Sequence, residues 1–347
     1  MSDIAIVYGA IPDLNPITQD LKSEIGVLKS VDDIVCALSE NHTVRRTPFT
    51  GDIVLFMRKI QEVKPDAVFN LFEGVYGLSK TEALIPAALD LMDIPYTGAK
   101  PKALQICLTK PLTKEILLQR SVLTPRFEVL KPDGPIETAL AFPIIVKPEH
   151  EDASIGISNQ SVVTTEEELA ERVMAIWAHY RQGALIEEYI DGREFNVAII
   201  GDSEHDAVNG NPFAPQVLPI SEICFDTLPE GFHHIVTYNA KWHEETAEYK
   251  GTVPVCPANI APELETRLKQ IAMRTFEALG CRDYARVDFR VSKEGVPYVI
   301  DVNPNPDISK DAGLARSAKA HGLKYKQLVQ KIADYALNRN GHAKKGM

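Results

Sequence analysis

The sequence predicts a mixed α/β protein of several domains, opening on a mainly parallel sheet. Three observations carry that prediction. At 347 residues the chain exceeds one ordinary folding unit, so two or three domains are expected. Its opening third alternates short apolar runs with helical patterns, which implies parallel strands covered by helices on both faces. Its last third holds two alternating runs flanking a short turn, which reads as a β-hairpin.

The elements follow in order. Residues 4–7 form a short apolar run ending at Gly9, residues 34–38 lie in a helical pattern, and residues 66–71 are a second strand candidate. Ser79-Lys80-Thr81-Glu82 opens a helix with a capping-box-like start, its apolar stripe passing through Leu84, Ala87, Ala88 and Leu91. Pro95-Tyr96-Thr97-Gly98 breaks that pattern and closes a first domain, 1–100. A second, 101–183, carries a helix at 113–119, strands at 127–130 and 142–146, and a long helix from Thr165. Three glutamates in that helix's first turn complement its dipole. The third domain, 184–347, reads as strands 184–189 and 195–200, a polar stretch to Pro257, a helix 262–279, the hairpin 283–303 and a terminal helix. A polar tail from Asn338 is expected to fray.

Composition narrows the function. Hydrophobic residues at 45% and charged residues at 24% match an ordinary globular protein. No apolar run approaches the roughly 20 residues of a membrane span. The start, MSDIAIVYGA, lacks the basic region of a secretory signal, so a cytoplasmic protein is expected. Five scattered cysteines without a CxxC pair argue against a disulfide framework or a zinc site, and Cys256 and Cys281 read as packed side chains. A net charge of −11 disfavours nucleic acid. A nucleotide then needs a few placed lysines and a metal ion.

The hairpin is the most informative segment. Strand alternation puts Arg286 and Asp288 on one face, and Asp301 and Asn303 on one face of the partner strand. If the turn pairs residue 292 with 297, Asp288 stands opposite Asp301 and Arg286 opposite Asn303. Two carboxylates and an amide oxygen then converge beside an arginine, a hard-oxygen set suited to magnesium held partly by phosphates. A divalent ion would relieve the repulsion between the facing carboxylates. The plain alternative is a solvated surface hairpin. Against it, Asp301 sits in the largely apolar run Tyr-Val-Ile-Asp-Val-Asn, where an unpaired charge is costly.

Two further signals point to a nucleotide. Lys147 ends the apolar strand Pro143-Ile-Ile-Val-Lys and is followed by the small-residue loop Ala153-Ser154-Ile155-Gly156, whose backbone can approach phosphate oxygens. Ser154 is a catalytic candidate there; neither GxxxxGK[S/T] nor GxGxxG is present. Alone, Lys147 reads equally well as a solvated strand end. The run Ala184-Leu-Ile-Glu-Glu-Tyr-Ile, with Asp191-Gly192-Arg193-Glu194, can offer backbone groups to an adenine edge. Glu187 or Glu188 can accept from the exocyclic amine and Glu194 from ribose hydroxyls, unless these are merely acids at a strand end.

Taken in order, Leu108-Thr-Lys110, Ile145-Val-Lys147-Pro148, Leu185-Ile-Glu-Glu-Tyr189, Gly192-Arg-Glu194, Asn239-Ala-Lys241, Arg286-Val-Asp288 and Asp301-Val-Asn303 resemble the ATP-grasp superfamily. Within it the chain resembles the D-alanine–D-alanine ligases, a likeness covering roughly residues 66 to 335 and including Val68-Phe-Asn-Leu-Phe-Glu-Gly74 and Ile94-Pro-Tyr-Thr-Gly98. The resemblance implies an ATP-grasp fold behind an N-terminal parallel-sheet (pre-ATP-grasp) domain. It implies α/β-phosphate contacts from Lys110 and Lys147, and a γ-phosphate contact from Lys241. Glu187, Glu188, Tyr189 and Ile190 would line the adenine site, and Glu194 would hold the ribose. Asp288, Asp301 and Asn303 would bind two magnesium ions, manganese being able to replace them. Arg286, with Lys241 and Ser154, would act in catalysis. The implied chemistry is phosphorylation of a substrate carboxylate, then displacement of phosphate by an amine, with amino acids or other small acids and amines as partners. A homodimer is among the assemblies the resemblance allows.

The sequence departs from those ligases on the amino-acid side. Ile11-Pro-Asp-Leu-Asn-Pro16 lacks their Glu-x-Glu-Val-Ser pattern, and Trp242 stands where they have a tyrosine. The closing motif Asn303-Pro-Asn-Pro-Asp-Ile-Ser-Lys-Asp-Ala312 lacks their Gly-Met turn and puts alanine where their serine grips the second substrate's carboxylate. Asp301 is also one methylene shorter than their usual glutamate. A ligase with other substrates is therefore expected, with a genuine D-alanine–D-alanine ligase, an ATP-grasp kinase and a non-catalytic nucleotide-binding protein as alternatives. Residues 225–257, with His233, His234, Tyr238, Lys241 and Trp242, are expected to form a mobile lid.

Overall fold

The computed structural model describes residues 1–10, 21–75, 78–202 and 213–343. The segment 11–16, one of the departures named above, lies outside them, as do residues 344–347 of the tail. The first domain is built on β1 (Asp3–Gly9), α1 (Leu21–Leu38), β2 (Thr43–Phe49), α2 (Ile53–Val63) and β3 (Ala67–Asn70). Its sheet is parallel in the order β2-β1-β3, as the alternation of strands and helices requires. Asp52 caps α2 by accepting from the backbone of Val54 and Leu55, and Phe56 and Ile60 turn its buried face to the sheet.

The helix expected to open at Ser79 starts later, as α3 (Leu84–Leu91), and no side chain caps it. Residues 79–81 form a separate tight turn in which the Thr81 hydroxyl donates to the Leu78 carbonyl and accepts from the Val75 amide. The box does not form because its side chains go elsewhere: the Ser79 hydroxyl donates to Glu151 at 3.4 Å and the Glu82 side chain bonds Asn305. Thr81 serves the turn, a common competing use of short hydroxyl side chains. Two helices opened by proline follow, α4 (Pro101–Leu108) and α5 (Lys110–Gln119).

The middle sheet is antiparallel, from β4 (Phe127–Leu130), β5 (Ile144–Pro148) and β6 (Val162–Val163), covered by α6 (Glu166–Tyr180). Thr165 caps α6 by accepting from the Glu168 amide. The sheet is completed by β7 (Ala184–Glu188), which lies between β4 and β5. By strand pairing this unit therefore closes at Glu188, past the boundary expected at 183, because β7 bonds backward to β5 and not forward.

The last sheet begins with β8 (Gly192–Gly201), β9 (Gln216–Val217) and β10 (Ser221–Cys224). The polar stretch holds two short helices, α7 (Tyr238–Trp242) and α8 (Ala247–Gly251), and returns through β11 (Val253–Val255). Then come α9 (Pro262–Ala278), β12 (Asp283–Ser292), β13 (Pro297–Asn303), α10 (Gly313–Ala320) and α11 (Tyr325–Ala343). Strand order is β11-β10-β8-β12-β13, with β9 pairing β8.

The single terminal helix expected is thus two, and it does not fray at Asn338. Arg339 donates to Asp202 at 2.8 Å and to the Tyr96 carbonyl at 2.9 Å, and also pairs with Asp283. Both acids are fully buried, so the end of α11 is a joint between the first domain and the last sheet. No helix among the described residues is long and apolar enough to cross a membrane.

Candidate active site

The hairpin register sets the centre of the site. Asp288 pairs with Asp301 and Arg286 with Asn303, as the alternation predicted. The turn end differs by one residue: Val291, not Ser292, faces Pro297. A bulge at Ile300 absorbs the difference. It is needed because Val299 and Asp301 would share a face in an unbroken strand. The extra residue sends Val299 into the core opposite Phe289 while Asp301 returns to the face of Asp288.

Each carboxylate meets basic groups. Arg286 grips Asp288 with two bonds of 2.7 and 2.8 Å, and Asn196, its cross-strand neighbour on β8, donates at 2.7 Å. Asn303 donates its amide nitrogen to Asp288 at 3.3 Å, which turns its carbonyl oxygen elsewhere. Lys110, the first residue of α5, lies 3.0 Å from Asp301 and 3.4 Å from Asp152. Burial would push the Asp301 carboxyl up, but Lys110, with Lys147 and Lys241 farther off, outweighs it and brings it down to about 2. The Lys241 ammonium on α7 is lowered by burial and by the nearby Arg286.

A second cluster lies on the middle sheet. Glu187 on β7 is only 1% exposed, and its carboxylate takes Lys114 at 2.6 Å and Lys147 at 2.7 Å. The two lysines outweigh burial and hold it below the ordinary range. The Glu187 carboxylate, expected at the adenine, is thus paired with two lysines. Glu188 points away, accepting from the Arg126 amide at 3.2 Å. Glu194 on β8 is buried against its cross-strand partner Arg290 at 3.3 Å. Burial, only partly opposed by Arg290, raises the Glu194 carboxyl. Arg290 also donates to the Gly192 carbonyl at 2.8 Å and lies over the rings of Tyr189 and Phe225. Ile190, half-buried, sits in the short link between β7 and β8.

The small-residue loop closes against the polar stretch. Ala153 and Ser154 adopt left-handed backbone at φ 54° and 61°. The Ser154 hydroxyl donates to the Val236 carbonyl at 3.0 Å, and the Trp242 indole donates to the Ala153 carbonyl at 3.1 Å. Trp242 also packs against Gly26 of α1, so this residue links the polar stretch, the loop and α1. His233 and His234 go to different rings, Tyr189 and Phe225.

Sequence reasoning missed Lys114, Arg290, Asn196 and Asp152. Lys114 had a signal, since it stands one helical turn from Lys110 on the same face. Arg290 had another, continuing the alternation 286, 288, 290. Asn196 and Asp152 had none, because only strand order and loop path bring them in.

Among the described residues no group of three or more His, Cys, Asp or Glu side chains is arranged to hold a metal. The donors at the hairpin are two carboxylates and an amide oxygen. That set fits an ion that takes its remaining oxygens from phosphates and water, as magnesium does.

One parallel and two antiparallel sheets, with lysines and acids gathered from both antiparallel ones, make this an ATP-grasp protein. The chain belongs to the D-alanine–D-alanine ligase family, ATP-dependent enzymes that form carbon–nitrogen bonds: residues 126–334 match the family described as D-ala D-ala ligase C-terminus. The chain is 35% identical over 272 residues to the uncharacterized protein y4sG of Sinorhizobium fredii, covering 78% of this chain and 75% of that one. It is 30% identical over 274 residues to a D-alanine–D-alanine ligase of Bordetella petrii, covering 78% and 76%. A crystal structure of the Bacillus anthracis D-alanine–D-alanine ligase complexed with ATP shares the fold at a TM-score of 0.76 and 21% identity, over 99% of this chain and 100% of that one.

Proposed function

We propose that this chain joins a small carboxylic acid to an amine at the expense of ATP, through an acyl phosphate, and that its substrates are not two D-alanines. The observation that supports the chemistry is the register that faces Asp288 with Asp301 beside Arg286. In this reading Lys110 and Lys147 bind the nucleotide's inner phosphates and Lys241 the outer one. Tyr189 and the Ile190 backbone border the adenine, Glu194 takes the ribose, and Lys114 and Glu187 keep Lys147 aimed. Asp288, Asp301 and the Asn303 carbonyl would hold two magnesium ions, which draw off charge from the transferring phosphoryl group.

Arg286 stays cationic, since Asp288 outweighs the burial that opposes it. It can therefore meet the oxyanion that forms when the amine adds to the acyl carbon. Ser154 and Trp242 tie the loop to the lid, which keeps water from hydrolysing the acyl phosphate. The different substrate pair is supported by Trp242 and Ala312, which replace side chains that the similar ligases use on amino acids.

The test is phosphate release from ATP over amino acids of both hands and other small acids and amines, with product mass measured. Release that needs both an acid and an amine is the expected result, and a product heavier by one phosphate would show a kinase instead. Turnover with D-alanine alone, faster than with any other pair, would refute the claim about substrates.

A further inference from the structure

Resting on the ligase reading above, we infer that Arg316 is the specificity residue of the amine site and binds a carboxylate carried by the incoming amine. The amine must reach the acyl carbon beside Arg286. What abuts Arg286 there is the start of α10: a Cβ placed on Gly313 would lie 3.8 Å from Arg286 Cδ. Arg316 stands one turn further along, its amide bonded to the Ala312 carbonyl at 3.0 Å. The lid's return passes the same turn, with Cys256 Sγ 3.9 Å from the Ser317 hydroxyl. Arg286, the return of the polar stretch and Arg316 thus meet around the first turns of α10.

Arg316 is half-buried, and its guanidinium is satisfied differently from its neighbours. Arg286 holds Asp288, Arg290 holds Glu194, and Arg339 holds Asp202 and Asp283. Arg316 donates one nitrogen to the Asp311 carbonyl at 2.8 Å. No carboxylate of the described residues forms an ion pair with it. A guanidinium carries five donors in a planar fork that matches a carboxylate. Burial, with the nearby Arg286, lowers its hold on its proton against the opposing pull of Cys256 and Asp311, so an added anion beside the two arginines would be favoured by each. Ala312, one turn back, offers no polar group of its own. During the reaction the amine lone pair forms the new C–N bond, the C–O bond to phosphate breaks, and phosphate leaves with the displaced electron pair and takes up the proton that the nitrogen gives away. The carboxylate held by Arg316 takes no part and only places the nitrogen.

The experiment compares three kinds of acceptor on the full chain with ATP, magnesium and each common amino acid of either hand as donor. Hydroxylamine, which has no carboxylate, traps the acyl phosphate as a hydroxamate. Glycine, both alanines, β-alanine and both aspartates are each run against the matching amide. The amide is the less basic amine and more of it is unprotonated, so a preference for the acid reports recognition. Wild-type protein should form hydroxamate and favour at least one acid over its amide. Arg316→Ala should lower kcat/KM for that acid by about 10- to 100-fold, the worth of a charge-assisted hydrogen-bonded pair, with no comparable loss for hydroxylamine. Arg316→Lys should recover part of it. If no acid outperforms its amide, or Arg316→Ala loses hydroxylamine and acid together, the inference fails and the ligase reading stands. Absence of hydroxamate with every donor would overturn the ligase reading beneath it.

Discussion

The hairpin β12–β13 and the lid with its loop meet at one site, yet they are built in opposite ways. On the hairpin, Arg286, Asp288, Asp301 and Asn303 are placed by backbone ladders, so each position follows from its neighbours by alternation. Around the lid, Ser154, Trp242 and Tyr238 are placed by single hydrogen bonds between segments distant in sequence, such as the Tyr238 amide to the Ile157 carbonyl at 2.9 Å. A ladder repeats its constraint at every residue and loses little when one bond goes. A segment held by separate bonds has no such repetition, and can exchange a side chain without disturbing the sheet. The departures named from the sequence follow the same division: on the ladder only Asp301 differs, by one methylene, whereas Trp242 and Ala312 are changes of residue type.

Substitutions can break or sharpen that contrast, and the largest effect belongs to the ladder. Asp288→Asn should lower kcat about a thousandfold with the fold retained, because it removes charge needed for the metal and phosphoryl group. Steady-state phosphate release together with circular dichroism checks it; near-normal turnover would mean the hairpin acids are structural. Next comes the joint behind the ladder. Arg339→Ala removes the cation shared by buried Asp202 and Asp283 and should cost about 3 to 5 kcal/mol in denaturant unfolding. Little change there would show that the end of α11 is dispensable, as the polar tail first suggested.

A smaller effect is expected at the nucleotide edge of the same sheet. Arg290→Met leaves Glu194 without its partner and should raise KM for ATP about tenfold, with a lesser change in kcat. An equal fall in kcat would move Arg290 from nucleotide binding to the chemical step. The lid should respond least. Trp242→Phe keeps a ring against Gly26 but loses the bond to Ala153, worth about 1 kcal/mol, so a several-fold rise in amine KM is expected. A loss as deep as that of Asp288→Asn would show the lid to be as tightly determined as the ladder, and the contrast would dissolve.

The sequence by itself determined what depends on short-range periodicity. Alternation put Asp288 opposite Asp301, small residues marked the loop 153–156, and the apolar run before Lys147 marked a strand end. Even the bulge has a trace, since buried Val299 and Val302 are three apart where a strand would space them by two. Tertiary structure decided what depends on partners far along the chain. Glu187 became the acid between Lys114 and Lys147 only because α5 packs beside β7 and β5. Ser79 gave up a helix cap for Glu151, far along the chain, and Thr81 closed a local turn. Arg339 locked a polar helix end that composition alone reads as loose. The physical reason is the range of the forces: backbone geometry repeats every two or four residues and is written in the sequence. A buried charge instead waits for whichever opposite charge the packing brings to it.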